Sequence, residues 1–140
     1  MLLQQGDDTV ALTLVAFSPE EHYATLCDWW DRQNWPRVPL SHLPAGWVVM
    51  SEGRPACCGF VYFTGTAFCL FEWVTANPEV RHAERTACLD YLFESVKAIV
   101  KGAEASTIFM SVRHSGLMAR LEKHGFKVTD QRMTNMIGVV

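Results

Sequence analysis

The sequence predicts an α/β fold (α+β in some schemes): a mixed, mainly antiparallel sheet of six or seven strands flanked by three or four helices. Three observations point there. Residues 46–76 hold three apolar runs separated by glycine-bearing turns, the pattern of an antiparallel meander. A long amphipathic stretch with strong helical spacing starts between Pro78 and His82 and ends near Lys101. A β-branched apolar run, Ser106–Val112, comes directly after it. Strand, helix and strand of these lengths form a parallel pair with a right-handed crossover.

Composition narrows the class. At 140 residues, 49% apolar and 11% aromatic, the chain reads as one globular domain spanning 1–140. A formal charge of −3 argues against nucleic acid, whose binding surfaces are strongly basic. No stretch approaches ~18 consecutive apolar residues, so no membrane span is expected. The opening MLLQQGDDTV has neither a basic region nor a long apolar core, so no signal peptide is expected and the cytoplasm is the expected location. The cysteines, Cys27, Cys57, Cys58, Cys69 and Cys88, are odd in number, contain no Cys-x-x-Cys and mostly lie in apolar runs. Buried reduced thiols explain them better than a disulfide frame or a zinc site.

In chain order, residues 9–17 (TVALTLVAF) read as a first strand. Ser18-Pro19-Glu20-Glu21 reads as a capping box with proline at the first helical position, opening a helix that runs to about Gln33. Its buried stripe should be Tyr23, Leu26, Cys27 and Trp30. Residues 34–44, with three prolines, form an irregular loop. Its Trp35, Val38, Leu40 and Leu43 either cover the edge of the core or wall a substrate groove. The meander strands are Gly46–Met50, Ala56–Phe63 and Ala67–Ala76. The third carries Glu72 among apolar neighbours, where a carboxylate must meet solvent, a partner or a site. The long helix buries Ala83, Ala87, Cys88, Tyr91, Leu92, Val96, Ile99 and Val100, with Gly102 as its stop. Ser115–His124 follows as a short helix with Leu117, Met118 and Leu121 inward, ended by Gly125. Phe126–Thr129 and Met133–Val140 close the chain as strands, the last pairing within the monomer or with a second copy in a homodimer.

The junction at residues 77–86 carries the functional signal. A strand feeding into a helix N-terminus is an anion site, because unpaired N–H groups and the helix dipole converge there. Here the glycines that would admit a phosphate are missing, and Glu84 stands where a negative ligand would sit.

Asn77-Pro78-Glu79-Val80-Arg81 resembles the V/A-x-P-x-x-R that opens the pyrophosphate loop of the GNAT superfamily of N-acetyltransferases. Leu121-Glu122-Lys123-His124-Gly125-Phe126 resembles that family's Y-E-K-x-G-F. The order of elements matches over essentially the whole chain, the motifs over two short segments. The pairing of "WVxANPE…ER…L" with "RLEKHGF" is most similar to small GNAT-like proteins of bacteriophages. The resemblance implies transfer of an acetyl group from acetyl-CoA to a primary amine of a small molecule or protein. It implies pyrophosphate binding at an R/Q-x-x-G-x-G/A turn, here Arg81-His82-Ala83-Glu84-Arg85-Thr86. It also implies pairing of the Val74, Thr75 and Ala76 backbone with the pantetheine arm. Two departures stand out. Glu84 and Thr86 fill the small-residue positions and His82 replaces a common glycine. Leu121 takes the place of a proton-donating tyrosine. Glu72 is then the candidate base and His114, at the start of the short helix, a second candidate acid or base. The alternative is a GNAT-fold binding module that has lost its CoA site and contacts a protein partner.

Overall fold

The structure is a computed structural model that describes the backbone of residues 2–5 and 8–10 and all atoms of residues 11–140. Among the described residues, six strands hydrogen-bond in sequence order. They are β1 (Leu2–Gln5), β2 (Asp8–Ala16), β3 (Ala45–Ser51), β4 (Arg54–Phe63), β5 (Phe68–Ala76) and β6 (Thr107–Phe109). β1 pairs only with the first half of β2, from Leu2↔Ala11 to Gln5↔Asp8, so five strands form the main sheet. The first four ladders are antiparallel and β5–β6 is parallel, as the crossover requires. Helix α1 (Pro19–Arg32) joins β2 to β3, α2 (His82–Gly102) joins β5 to β6, and α3 (Ser115–Lys123) follows β6. Among the described residues, no helix is long and apolar enough to cross a membrane.

The sheet is buried on both faces, which is why β4 is an almost unbroken apolar run. Along β4, Cys57 and Val61 face α2 and α3, while Cys58 and Phe60 face α1. The first face packs Leu12, Val49, Phe71, Cys88, Leu92, Phe93, Val96 and Leu121. The second packs Leu26, Trp29, Trp30, Val48 and Phe60, together with Val38 from the 34–44 loop.

Several expectations need correction. The α1 capping box does not form: the Ser18 hydroxyl donates to Glu20 Oε2 at 3.0 Å, and the Ser18 N–H is taken by His22 Nδ1 at 2.9 Å. His22 and Trp29 join the buried face of α1. Ala83 is exposed, while Phe93 and Glu84 are buried on α2, because the helix presents a broader face to the sheet than a narrow stripe. Gly102 lies inside α2, and the left-handed residue that ends it is Glu104 (φ 63°). The strand expected over Ser106–Val112 covers only Thr107–Phe109, since β5 and β6 part beyond that point. Phe126–Thr129 and Met133–Val140 form no strand; Phe126 packs against the core, while Val128 and the apolar residues of 133–140 are exposed.

Candidate functional site

The parting of β5 and β6 makes a fork. The two strands pair at Phe68↔Thr107, Cys69↔Ile108 and Leu70↔Phe109 and then diverge. Beyond Leu70, among the described residues, no strand lies on that side of β5. Glu72 sits just past the branch, half-buried, and its Oε1 accepts the Ser111 N–H from the other arm at 3.0 Å. Burial pushes its carboxyl pKa up, and the Ser111 amide partly opposes that shift.

A β-bulge shapes the β5 arm. Cys58 pairs with Thr75 and Phe60 with Glu72, so Gly59 alone faces both Trp73 and Val74. Trp73 adopts φ 60°, a conformation rare for a bulky side chain and worth about 1–3 kcal/mol of strain. The surroundings hold it there. Its indole N–H donates to the Tyr62 hydroxyl at 2.7 Å, which in turn donates to the His42 carbonyl at 2.8 Å. Thr75 donates to the Trp73 carbonyl at 3.0 Å and accepts from the Trp30 indole at 3.1 Å. Gly59 is required opposite the bulge, since a Cβ there would lie 2.4 Å from the Phe71 ring. Val74 and Ala76 lean on the α2 face of the core.

The strand then turns sharply. Asn77 accepts the Glu79 N–H through its side chain at 2.9 Å and donates to the Pro55 carbonyl at 3.0 Å. Val80 is buried and plugs the turn. The α2 N-terminus that follows is not blocked by Glu84. Glu84 is only 8% exposed and points back toward the β3–β4 hairpin. There the Ser51 hydroxyl donates to Oε1 at 2.6 Å and Arg54 Nη2 lies 3.5 Å from Oε2. The carboxylate therefore neither caps its own helix nor stands at its mouth. What the N-terminus presents to solvent is Arg81, His82 and Ala83. Arg81 is the N-cap residue and makes no side-chain capping bond. Arg85 Nη2 donates to the Val80 carbonyl at 2.8 Å, whereas its Nε is buried without a partner. Thr86 is partly buried. An anion fits this arrangement on two counts: the acid has been withdrawn, and a guanidinium N–H remains unsatisfied.

His114 lies at the N-cap of α3, three residues beyond the Ser111 that binds Glu72, so the fork brings the two acid–base candidates to one end of the sheet. Its ring stacks on Trp35, centroids 6.1 Å apart. In the 34–44 loop Val38 packs in the core, covering its edge, and Trp35 reaches the start of α3. Leu121 is 3% exposed and wholly within the core. The Glu-Lys-His-Gly motif has a structural role. His124 meets Glu94 at 2.6 Å and Asp90 at 2.8 Å, fastening the end of α3 to α2.

All five cysteines are buried and unpaired, and burial pushes the Cys58 thiol up to about 12 and Cys88 to about 11. Among the described residues, no cluster of His, Cys, Asp or Glu is arranged to hold a metal ion. A shallow groove lined by Tyr23, Asp31 and Arg37 along α1 contains none of the fork residues. Sequence reasoning missed Ser51, Arg54 and Ser111. The first two carry no local signal, but a buried carboxylate early in a helix requires partners somewhere.

No protein-family model matches the sequence, and no match is found among curated proteins. Solved structures do match. A Trypanosoma brucei acetyltransferase superimposes with a TM-score of 0.65 at 16% identity, over 91% of this chain and all of that one (100%). A GNAT-family acetyltransferase of Streptococcus pneumoniae gives 0.60 at 14% identity, over 93% and 98%. The aminoglycoside N-acetyltransferase AAC(6')-Iy, determined in complex with CoA, gives 0.61 at 13% identity, over 97% and 99%. At such identities the likeness concerns architecture. The chain has the GNAT fold.

Proposed function

We propose that the protein is an N-acetyltransferase that moves an acetyl group from acetyl-CoA to a primary amine of a small molecule or protein. The observation that carries this reading is the open β5/β6 fork, with the Glu72 carboxylate inside it and an α2 N-terminus cleared of its acid close by in the chain. The backbone of Val74, Thr75 and Ala76 would hold the pantetheine arm, and the helix start from Arg81 to Thr86, with Arg81 and Arg85 as its cations, would hold the pyrophosphate. When bound, acetyl-CoA supplies the activated acyl thioester. Glu72 takes the proton from the attacking amine, directly or through one water, and its raised pKa suits that work. Leu121 has no proton to give, which leaves His114 as the candidate acid on α3. The setting is the cytoplasm. A bacteriophage source rests on the sequence resemblance alone.

A second reading, favoured by His82 and Thr86 in place of small residues, is a binding module of the same fold without catalysis. Incubation with acetyl-CoA and a panel of polyamines, aminoglycosides and lysine peptides separates them. Free CoA thiol and an acetylated amine are expected together. Failure of every amine to release thiol above the uncatalysed rate refutes the transferase.

A further inference from the structure

The sheet face that packs α1 is covered over part of its width. The α1 cluster reaches across β3 and β4 as far as Cys58 and Phe60 and, among the described residues, includes no apolar residue of β5 or β6. What lies beyond follows from register. Glu72 stands opposite Phe60, and Leu70 stands between Tyr62 on β4 and Phe109 on β6, so these side chains share the face of Phe60. Phe68 lies two residues before Leu70, with its ring 5.9 Å from that of Phe109. The bulge turns Trp73 the same way, and its indole reaches Tyr62. Tyr62, Phe68, Leu70, Trp73 and Phe109 lie outside both core clusters. Single exposed aromatics are ordinary, but a contiguous set marks a binding surface.

Charge and strain set the chemistry of what binds there. Glu72 is the single acidic residue in β4, β5 and β6, and it sits half-buried beside these rings. One carboxylate matches one ammonium, whereas a polycation would bring its further charges onto apolar carbon without a partner. Trp73 adds the second condition. Its φ of 60° is rare for a bulky residue, and strain of this kind collects at ligand sites. The ring gains little burial in return, being 42% exposed. Its polar edge is fixed, since the indole N–H donates to the Tyr62 hydroxyl at 2.7 Å, which donates to the His42 carbonyl at 2.8 Å. A fixed ring with a satisfied edge presents its apolar face beside Glu72, a surface suited to a second ring. Leu70 lies two residues from Glu72, roughly 6–7 Å along the strand. That is the reach of a nitrogen joined to a ring by a short alkyl link.

We propose, building on the transferase activity proposed above, that the acceptor is a primary monoamine carrying an aromatic ring, bound on this face with its nitrogen at Glu72 and its ring against Trp73, Leu70 and Phe109. The ammonium gives one proton to Glu72. The freed lone pair forms the C–N bond as the thioester C–S bond breaks. The second N–H proton passes to the sulfur and the carboxyl proton to water, leaving an amide and CoA thiol. Trp73 and Phe109 are then specificity residues that select the body of the amine, while Glu72 serves any amine that reaches it.

Calorimetric titration with phenylethylamine, ethylamine and spermidine, with and without CoA, tests this alongside the acetylation rates of the same amines. Phenylethylamine should bind roughly tenfold more tightly than either of the others, the gain expected from burying a phenyl ring, and be acetylated with a correspondingly higher kcat/KM. Trp73→Gly and Phe109→Ser should each weaken its binding by roughly fivefold and leave that of ethylamine unchanged. Glycine adopts the φ of residue 73 freely, so the first variant keeps the bulge. Phe109→Ser should also leave the melting shift produced by acetyl-CoA unchanged, which separates loss of the acceptor from loss of the cofactor. Absence of phenylethylamine binding, equal affinity for the three amines, tighter binding of spermidine, or full-strength binding to both variants overturns the proposal and leaves the transferase standing. Phenylethylamine that binds the parent, binds the variants weakly and is never acetylated upholds the site and refutes the transferase. A dimer that Phe109→Ser dissociates assigns the face to a second copy and overturns the proposal.

Discussion

Replacing Glu84 by alanine tests the reading of the α2 N-terminus. Glu84 accepts the Ser51 hydroxyl at 2.6 Å in a buried setting, and a hydrogen bond to a charged group contributes about 1.5–3 kcal/mol. Its pairing with the half-exposed Arg54 at 3.5 Å adds less than about 1 kcal/mol, as exposed pairs do. Alanine returns a few tenths of a kcal/mol in helix propensity. The expected loss is therefore about 2–3 kcal/mol. For a chain of this length, at ~3–4 °C per kcal/mol, the melting temperature should fall by roughly 6–12 °C. Urea titration should give the same loss with an unchanged slope, and a double-mutant cycle with Ser51→Ala should return a coupling of about 1–2 kcal/mol. The increment in melting temperature produced by acetyl-CoA should be the same in variant and parent, because this carboxylate faces the hairpin and not the ligand. A loss below about 0.5 kcal/mol, the size expected of a surface change, would refute the buried network. A larger acetyl-CoA increment in the variant would put the carboxylate back at the mouth of the helix.

Three further expectations follow from the same structure. Glu72→Gln should lower kcat by about 10²–10⁴ while folding normally, since an amide oxygen can still accept the Ser111 N–H. The base works deprotonated and burial raises its pKa, so the parent's rate should fall as pH drops through a value above the ordinary glutamate range. That limb should vanish in the variant, and an unchanged rate and profile would remove Glu72 from catalysis. Gly59→Ala places a Cβ 2.4 Å from the Phe71 ring, and over-packing of this kind should cost about 1–3 kcal/mol by denaturant titration. Native protein should not react with a thiol reagent, because the cysteines are buried and the thiolate is the reactive form. In guanidinium all five should titrate, and rapid labelling of folded protein at Cys57, Cys58 or Cys88 would contradict their raised pKa values.

The meander, the crossover and the long helix were legible because periodicity and turn chemistry are local. Glu52-Gly53, both at positive φ, is the tight turn that the glycine announced between β3 and β4. The bulge was not legible. It depends on which residue of β4 stands opposite Trp73, and register is a property of two strands together. Glu84 shows the same limit. Its type and position announced a conflict with an anionic ligand, but the direction of its side chain was decided by Ser51, Arg54 and a hairpin thirty-odd residues away. The terminal run misled in the opposite way. Met133–Val140 has the composition of a strand, but a strand also requires a neighbour, and among the described residues the segment pairs with none.

Thermal melting with and without millimolar acetyl-CoA tests the central claim most directly. A ligand present at ~100 times its dissociation constant adds about 2.7 kcal/mol to the native state, which here means roughly 8–11 °C. Binding through the fork and the α2 N-terminus predicts a shift of that size. It should shrink when Arg81 is replaced by alanine and persist when Glu84 is. No shift at that concentration would contradict the account and leave a GNAT-fold protein that does not use acetyl-CoA.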